Sequence, residues 1–179
     1  GPVAVSGASG GVGSVAISIL SKLGYHVIAS TGRAAEADYL KGLGAAEIID
    51  RTELSEPGRP LGKERWAAAV DSVGSHTLAN LPAQTQYGGA VAACGLAQGF
   101  DLPATVMPFI LRAVCLLGIN SVDTPRHLRL AVWSRIANDF MPQHLDRIGH
   151  RTIAFDDLPG AFQDYLDGKI TGRAVVEIG

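Results

Sequence analysis

Cysteine is scarce in this chain, with only Cys94 and Cys115 in 179 residues. They lie 21 positions apart and form no C-x-x-C pair. That excludes a disulfide framework and a zinc site built on paired cysteines. Two reduced, buried thiols in a cytoplasmic protein are expected instead. A dominant charge of one sign is also missing: 15 Lys and Arg stand against 17 Asp and Glu, with no Lys/Arg-rich run. Non-specific nucleic-acid binding needs clustered cations and is therefore not expected. No apolar stretch reaches the roughly 18 residues of a membrane-spanning helix, and no signal peptide is visible. Internal repeats and low-complexity segments are absent. The chain starts Gly1-Pro2 rather than with Met, so a fragment or processed piece is expected.

What is present is 47% hydrophobic residues against 18% charged ones, a balance that folds around a core of about one domain. The most telling stretch is Val3-Ala-Val-Ser-Gly-Ala-Ser-Gly-Gly-Val-Gly-Ser14. An apolar run ends in a glycine-rich turn, and an amphipathic pattern follows. Such a turn lets backbone N–H groups approach a pyrophosphate while the helix N-terminus meets its charge. Two registers fit. Ala8, Gly10 and Gly13 give a dinucleotide fingerprint with its first Gly replaced by Ala; Gly7, Gly11 and Gly13 give G-x-x-x-G-x-G. Ser9, Gly10, Gly11, Val12 and Gly13 are the candidate phosphate-binding residues.

Strand and helix patterns then alternate along the chain. Strands are expected at 3–6, 26–30, 47–50, 67–73, 90–94, 114–119 and 174–178. Helices are expected at 11–23, 34–43, 76–86, from Thr124-Pro125 onward, and at 157–166. In the first helix Val12, Ala16, Ile19, Leu20 and Leu23 form the expected apolar stripe; in the helix after Pro125 it is Leu128, Val132 and Ile136. Thr124 is the expected cap. Residues 52–63 read as a surface loop, and 102–112, with Pro103 and Pro108, as neither regular helix nor buried strand. The pattern implies an α/β, doubly wound parallel sheet of the Rossmann type, with ligands at the carboxyl ends of the strands.

The end of the second strand selects between cofactors. An NAD-type site wants a carboxylate there for the ribose 2′-hydroxyl. Here the residues are Ser30-Thr31-Gly32-Arg33. A guanidinium fork and two hydroxyls suit a 2′-phosphate, so NADPH is the expected cofactor, held by Ser30, Thr31 and Arg33. Tyr165-Leu-Asp-Gly-Lys169 matches the Y-x-x-x-K of short-chain dehydrogenases, with Thr152 thirteen residues before the Tyr. Gly168 inside that motif reads better as a helix stop, and only ten residues follow Lys169.

Ala8-Ser-Gly-Gly-Val-Gly13, Leu43-Gly-Ala45, Asp71-Ser-Val-Gly74, Tyr87-Gly-Gly89 and Gly172-Arg-Ala-Val-Val176 together resemble the cofactor domain of zinc-independent, quinone-reductase-type medium-chain dehydrogenases. Thr31-Gly-Arg33, Trp66, Ala92-Ala-Cys-Gly-Leu-Ala97 and Leu102-Pro-Ala-Thr-Val-Met-Pro-Phe-Ile-Leu-Arg112 are similar to the acrylyl-CoA reductase group. The resemblance runs from Gly1 to Gly179. Many members carry a Lys near position 36, where Glu36 stands here.

The resemblance implies that residues 1–179 are an NADP-binding Rossmann domain, and that an N-terminal barrel-like catalytic domain is absent. Val73, Gly74, Gly95, Leu96, Ile119 and Asn120 would line the ribose and nicotinamide. The implied reaction is hydride transfer from NADPH to an activated C=C bond of a small enoyl-CoA or enone, without metal and with acrylyl-CoA as the leading substrate. Reduction of quinones or enones is the alternative, as is a non-catalytic binding or dimerisation module. No residue is assigned as the acid. Arg112 and Arg173 are expected to be structural or solvated. The strand near 114–122 is expected at the sheet edge, where it would join two copies into a homodimer.

Overall fold

Alternating apolar residues of short parallel strands build two cores, one on each face of a single sheet. The computed structural model describes all 179 residues. The strands are β1 (Val3–Val5), β2 (Val27–Thr31), β3 (Glu47–Asp50), β4 (Trp66–Asp71), β5 (Thr85–Ala93) and β6 (Cys115–Gly118). They are parallel and ordered β3-β2-β1-β4-β5-β6. The order reverses between β1 and β4, and β1 is held on both sides: Val3 lies opposite Val27 and Ala68.

The helices are α1 (Gly11–Lys22), α2 (Ala37–Gly42), α3 (Thr52–Ser55), α4 (Ser75–Ala83), α5 (Met107–Arg112), α6 (Arg126–Ala137), α7 (Leu145–Ile148) and α8 (Leu158–Leu166). One face of the sheet packs Ala4, Ile28, Ile49, Ala69 and Val91 with Leu54 of α3 and Leu81 of α4. The other packs Val5, Val27 and Ala29 with Ile17 of α1, Leu40 of α2 and Ile148 of α7. Consecutive residues Ala4 and Val5 thus serve opposite faces, as strand geometry requires. Trp66 is fully buried, and its indole N–H reaches Leu81 O and Thr85 Oγ1, both at 3.1 Å. This satisfies the one polar atom that its burial would otherwise strand.

Several expectations change. The buried face of α1 is Gly11, Gly13, Ser14, Ile17 and Ser18, while Val12 and Leu23 are exposed. Small residues flank Ile17 on the contact face because α1 sits close to the turn before it, and of the expected stripe Ala16 and Leu20 pack against this core. Residues 52–63 contain the short helix α3. The proline-bearing stretch 102–112 ends in α5, because Pro108 stands in its first turn, where a missing N–H costs nothing. At α6 the cap position is Pro125, not Thr124, whose hydroxyl bonds Asn120 O instead. No residue of α6 is buried; its expected stripe of Leu128, Val132 and Ile136 covers no core here. Both cysteines are exposed rather than buried, and both are free thiols.

The final strand, β8 (Ala174–Glu177), does not join the main sheet. It pairs in parallel with β7 (Arg151–Ala154), a four-residue strand too short to stand out in the sequence. The segment before β8 returns to the glycine turn: Gly172 N donates to Ser9 O at 2.8 Å. No helix is long and apolar enough to cross a membrane.

Candidate functional site

Five strand ends and the returning C-terminal segment enclose a groove of about 750 Å³. Its walls are Ser6–Gly10 after β1, Ser30–Arg33 at the end of β2, Arg51 after β3, Ser72 and Val73 after β4, Ala97 and Gln98 after β5, and Asp167, Gly168 and Ile170. It therefore sits where strand order reverses, the position at which open α/β sheets bind ligands.

The glycine turn is shaped by two steric requirements. Gly7 has φ +56°, and a Cβ there would stand 2.5 Å from Ser72 Oγ. A Cβ on Gly13 would lie 2.5 Å from Gly7 O and 2.7 Å from Ala8 Cα. Gly13 thus sets how closely α1 approaches the turn. Gly13 is common to both registers read in the sequence, whereas Gly7 belongs only to the second.

Asp71, at the end of β4, is fully buried and ties this turn to the next loop. The Ser6 hydroxyl donates to its Oδ1 at 2.5 Å, and Gly74 N donates to its Oδ2 at 2.9 Å. Ser72 N donates in turn to Ser6 Oγ at 3.2 Å. Burial pushes the Asp71 carboxyl above its ordinary range, while the Ser6 hydroxyl and the Gly74 and Val73 N–H groups pull the other way. Nothing in the sequence pattern alone marked this carboxylate as the link between two loops.

Three arginines surround the groove. Arg33 Nη2 donates to Ser9 Oγ at 2.8 Å and to Ile170 O at 3.2 Å. Arg51 packs beside Gly32: a Cβ on that glycine would lie 2.4 Å from Arg51 Nε. The Arg173 guanidinium covers Gly11 at the start of α1, within 2.3 Å of where a Cβ would be. Neither Arg51 nor Arg173 pairs with a carboxylate, whereas Arg65, Arg112 and Arg135 do. Arg51 was not singled out in the sequence; its signal was its place one residue past the third strand, beside the second strand's end. Arg112 is structural, donating to Ala83 O and Gly62 O and pairing with Glu64 at 3.3 Å.

Of the expected site residues, Ser9, Gly10, Ser30, Thr31, Arg33 and Val73 line the groove together. Gly11, Val12 and Gly13 form the first turn of α1 beside it. Gly74, Gly95 and Leu96 meet one another behind Ser72: a Cβ on Gly74 would lie 3.2 Å from Leu96 Cα, and one on Gly95 2.5 Å from Ser72 O. Ile119 and Asn120 stand apart, exposed beyond β6. The Asn120 side chain is folded into its own turn, donating to Asp123 and accepting from Val122 N and Asp123 N.

The Y-x-x-x-K match brings no site with it. Lys169 Nζ pairs with Asp167 at 2.7 Å, and Gly168, at φ +66°, ends α8.

A parallel sheet with this order and a glycine turn at the reversal defines a dinucleotide-binding α/β domain. The chain belongs to the zinc-binding dehydrogenase family, whose model matches residues 11–138. It is 52% identical over 179 residues to the acrylyl-CoA reductase AcuI of Ruegeria pomeroyi, covering 99% of this chain and 54% of that protein. It is 49% identical to Bacillus subtilis YhfP, described as a putative quinone oxidoreductase, over 99% of this chain and 54% of YhfP. The crystal structure of YhfP with NAD bound superposes with a TM-score of 0.95. That of E. coli K-12 YhdH with bound NADPH, 46% identical and covering 100% of this chain and 55% of that one, also gives 0.95. The chain spans about half the length of the curated relatives it matches.

The family description implies zinc. No three His, Cys, Asp or Glu side chains converge in this chain, so it offers no set that could hold the ion.

Proposed function

We propose that this chain is the NADPH-binding part of an oxidoreductase that reduces an activated C=C bond, with an acrylyl-CoA-type thioester as substrate. The observation that carries it is the groove itself: a glycine turn at one end of a helix of twelve residues, and Ser30, Thr31, Arg33 and Arg51 around its second corner. The residues present fit the cofactor. The N–H groups of α1 and the Arg173 guanidinium would hold the pyrophosphate. Ser30, Thr31, Arg33 and Arg51 would hold the 2′-phosphate. Val73, Gly74, Gly95, Leu96, Ile119 and Asn120 would flank the ribose and nicotinamide. When bound, the reduced nicotinamide supplies a hydride.

The chain's own part in the reaction is to bind and orient. Asp71 holds the Ser6–Gly7 turn against the Ser72–Gly74 loop, which fixes two walls at once. The ionisable groups lining the groove are Arg33, Arg51 and Asp167, none of them at the nicotinamide end. This supports a division of labour in which the substrate wall and the acid come from the other half of a longer protein, an N-terminal barrel-like domain. The description of YhfP favours a quinone as the second substrate class to be tried. Two free thiols support a reducing, cytoplasmic setting. The exposed edge strand β6, with Leu117 in it and Ile119 just after it each half exposed, supports pairing with a second copy.

Isothermal titration of the chain with NADPH tests the reading. Binding is expected, and Arg33→Ala is expected to weaken NADPH by roughly tenfold or more, the scale of a charge-assisted hydrogen-bonded contact, while sparing NADH. Equal loss for both cofactors would count against the placement of the 2′-phosphate. Oxidation of NADPH with acrylyl-CoA by the longer parent, but not by this chain alone, is the expected activity result.

A further inference from the structure

Arg33 does not stand alone. Its Nη1 lies 3.7 Å from Glu36 Oε1, a pair three residues apart across the turn that follows β2. Glu36 is held there from a distant part of the chain, because the Thr171 hydroxyl donates to the same oxygen at 2.6 Å. The side chains of Arg33 and Glu36 are only 31% and 19% exposed. The carboxylate is therefore fixed beside Arg33 by both local and long-range contacts, and solvent screens it incompletely.

An anion arriving at Arg33 meets this arrangement. Two arginines and one carboxylate leave that corner with a net charge of +1 for a phosphate dianion, where the arginines alone would present +2. The arriving phosphate and Glu36 share one guanidinium, and they lie within about 8 Å, a Debye length at physiological salt. A ribose bearing a 2′-hydroxyl suffers no such repulsion, and a carboxylate near it is no obstacle.

We infer that Glu36 is a specificity-determining residue that lowers affinity for the 2′-phosphate, narrows the preference for NADPH over NADH and lets the chain accept both. The inference rests on the cofactor reading above and goes beyond it by assigning the balance between the two cofactors to one side chain. Thr171 is the positioning residue that keeps Glu36 in place.

The test is Glu36→Gln, which removes the charge and keeps an acceptor for Thr171. Wild type and variant are titrated calorimetrically with NADPH, NADH, adenosine 2′,5′-bisphosphate and AMP. Glu36→Gln is expected to tighten NADPH and the bisphosphate by about five- to tenfold and to leave NADH and AMP within about twofold, as a partly screened charge pair allows. The gain is expected to shrink at high salt and to persist in part when Arg33→Ala is added, since the repulsion between the carboxylate and the phosphate remains. Glu36→Met, which also removes the acceptor, is expected to shift the NADPH/NADH ratio in the same direction, so that loss of the Thr171 bond is separated from loss of charge. An unchanged or lowered ratio in both variants, or an equal gain for NADH, would overturn the inference and leave the cofactor reading intact. Wild-type chain that binds neither dinucleotide would overturn both.

Discussion

At the scale of single residues, the three arginines divide by what each would touch. Arg51→Ala is expected to weaken NADPH by roughly three- to tenfold and to spare NADH, since the residue is exposed and would act only on the extra phosphate. Arg173→Ala is expected to weaken both dinucleotides equally, because both carry the pyrophosphate. Parallel titrations check each pattern. Asp71 is different, because it acts on the protein. Asp71→Ala would orphan the Ser6 hydroxyl and Gly74 N–H inside the fold, and is expected to cost about 2–4 kcal/mol in urea unfolding.

The pH dependence of Asp71 has a definite sign. Its folded pKa lies above the unfolded value of about 3.8, so the folded state binds the proton more tightly. Its contribution to stability therefore falls as pH rises from that value through the folded pKa, and is flat above. Asp71→Asn should remove this component, measured as the difference between the two unfolding free energies from pH 4 to pH 7. A wild-type stability, relative to Asp71→Asn, that rose with pH would contradict the assignment. The place of Ser30, Thr31 and Arg33 in the groove was legible in the sequence because they stand at the carboxyl end of an apolar strand. Arg51, Asp71 and the position of Arg173 were not, because each acts across the sheet on a loop far away in the chain.

At the scale of elements, the glycine turn and α1 form one unit. Gly13→Ala would drive a Cβ into the backbone of Gly7 and Ala8, neither of which can yield without moving β1. A loss of about 1–3 kcal/mol is expected, with weaker binding of both dinucleotides. Urea unfolding and titration check the two effects. The six strands of the main sheet were all foreseen, the central ones as apolar runs between turn residues and the edge strands β3 and β6 as short apolar pieces after a glycine or before one. The contact face of α1 was only partly foreseen, because helix periodicity tracks large apolar residues and this face sets Gly11, Gly13, Ser14 and Ser18 around Ile17. The strand β7 escaped because four residues with one buried Ile153 carry almost no pattern.

At the scale of the whole molecule, much apolar surface is left uncovered. Leu130 and Trp133 of α6 are 56% and 60% exposed, and Phe100 is 93% exposed. Surfaces of this kind mark contacts with other protein. For β6 the expected partner is a second copy, and light scattering at micromolar concentration should read twice the 18.6 kDa of the chain. Leu117→Arg on that edge should shift the mass toward the monomer. A monomer in the unsubstituted chain would argue that the edge serves another contact.

The central claim is that this groove takes a dinucleotide and reads its 2′-phosphate. It is tested most directly by calorimetric titration of NADPH and NADH into the chain and into Arg33→Ala. Saturable binding of NADPH that the substitution weakens selectively is the predicted result. No heat with either dinucleotide, or a substitution that changes both alike, would contradict it.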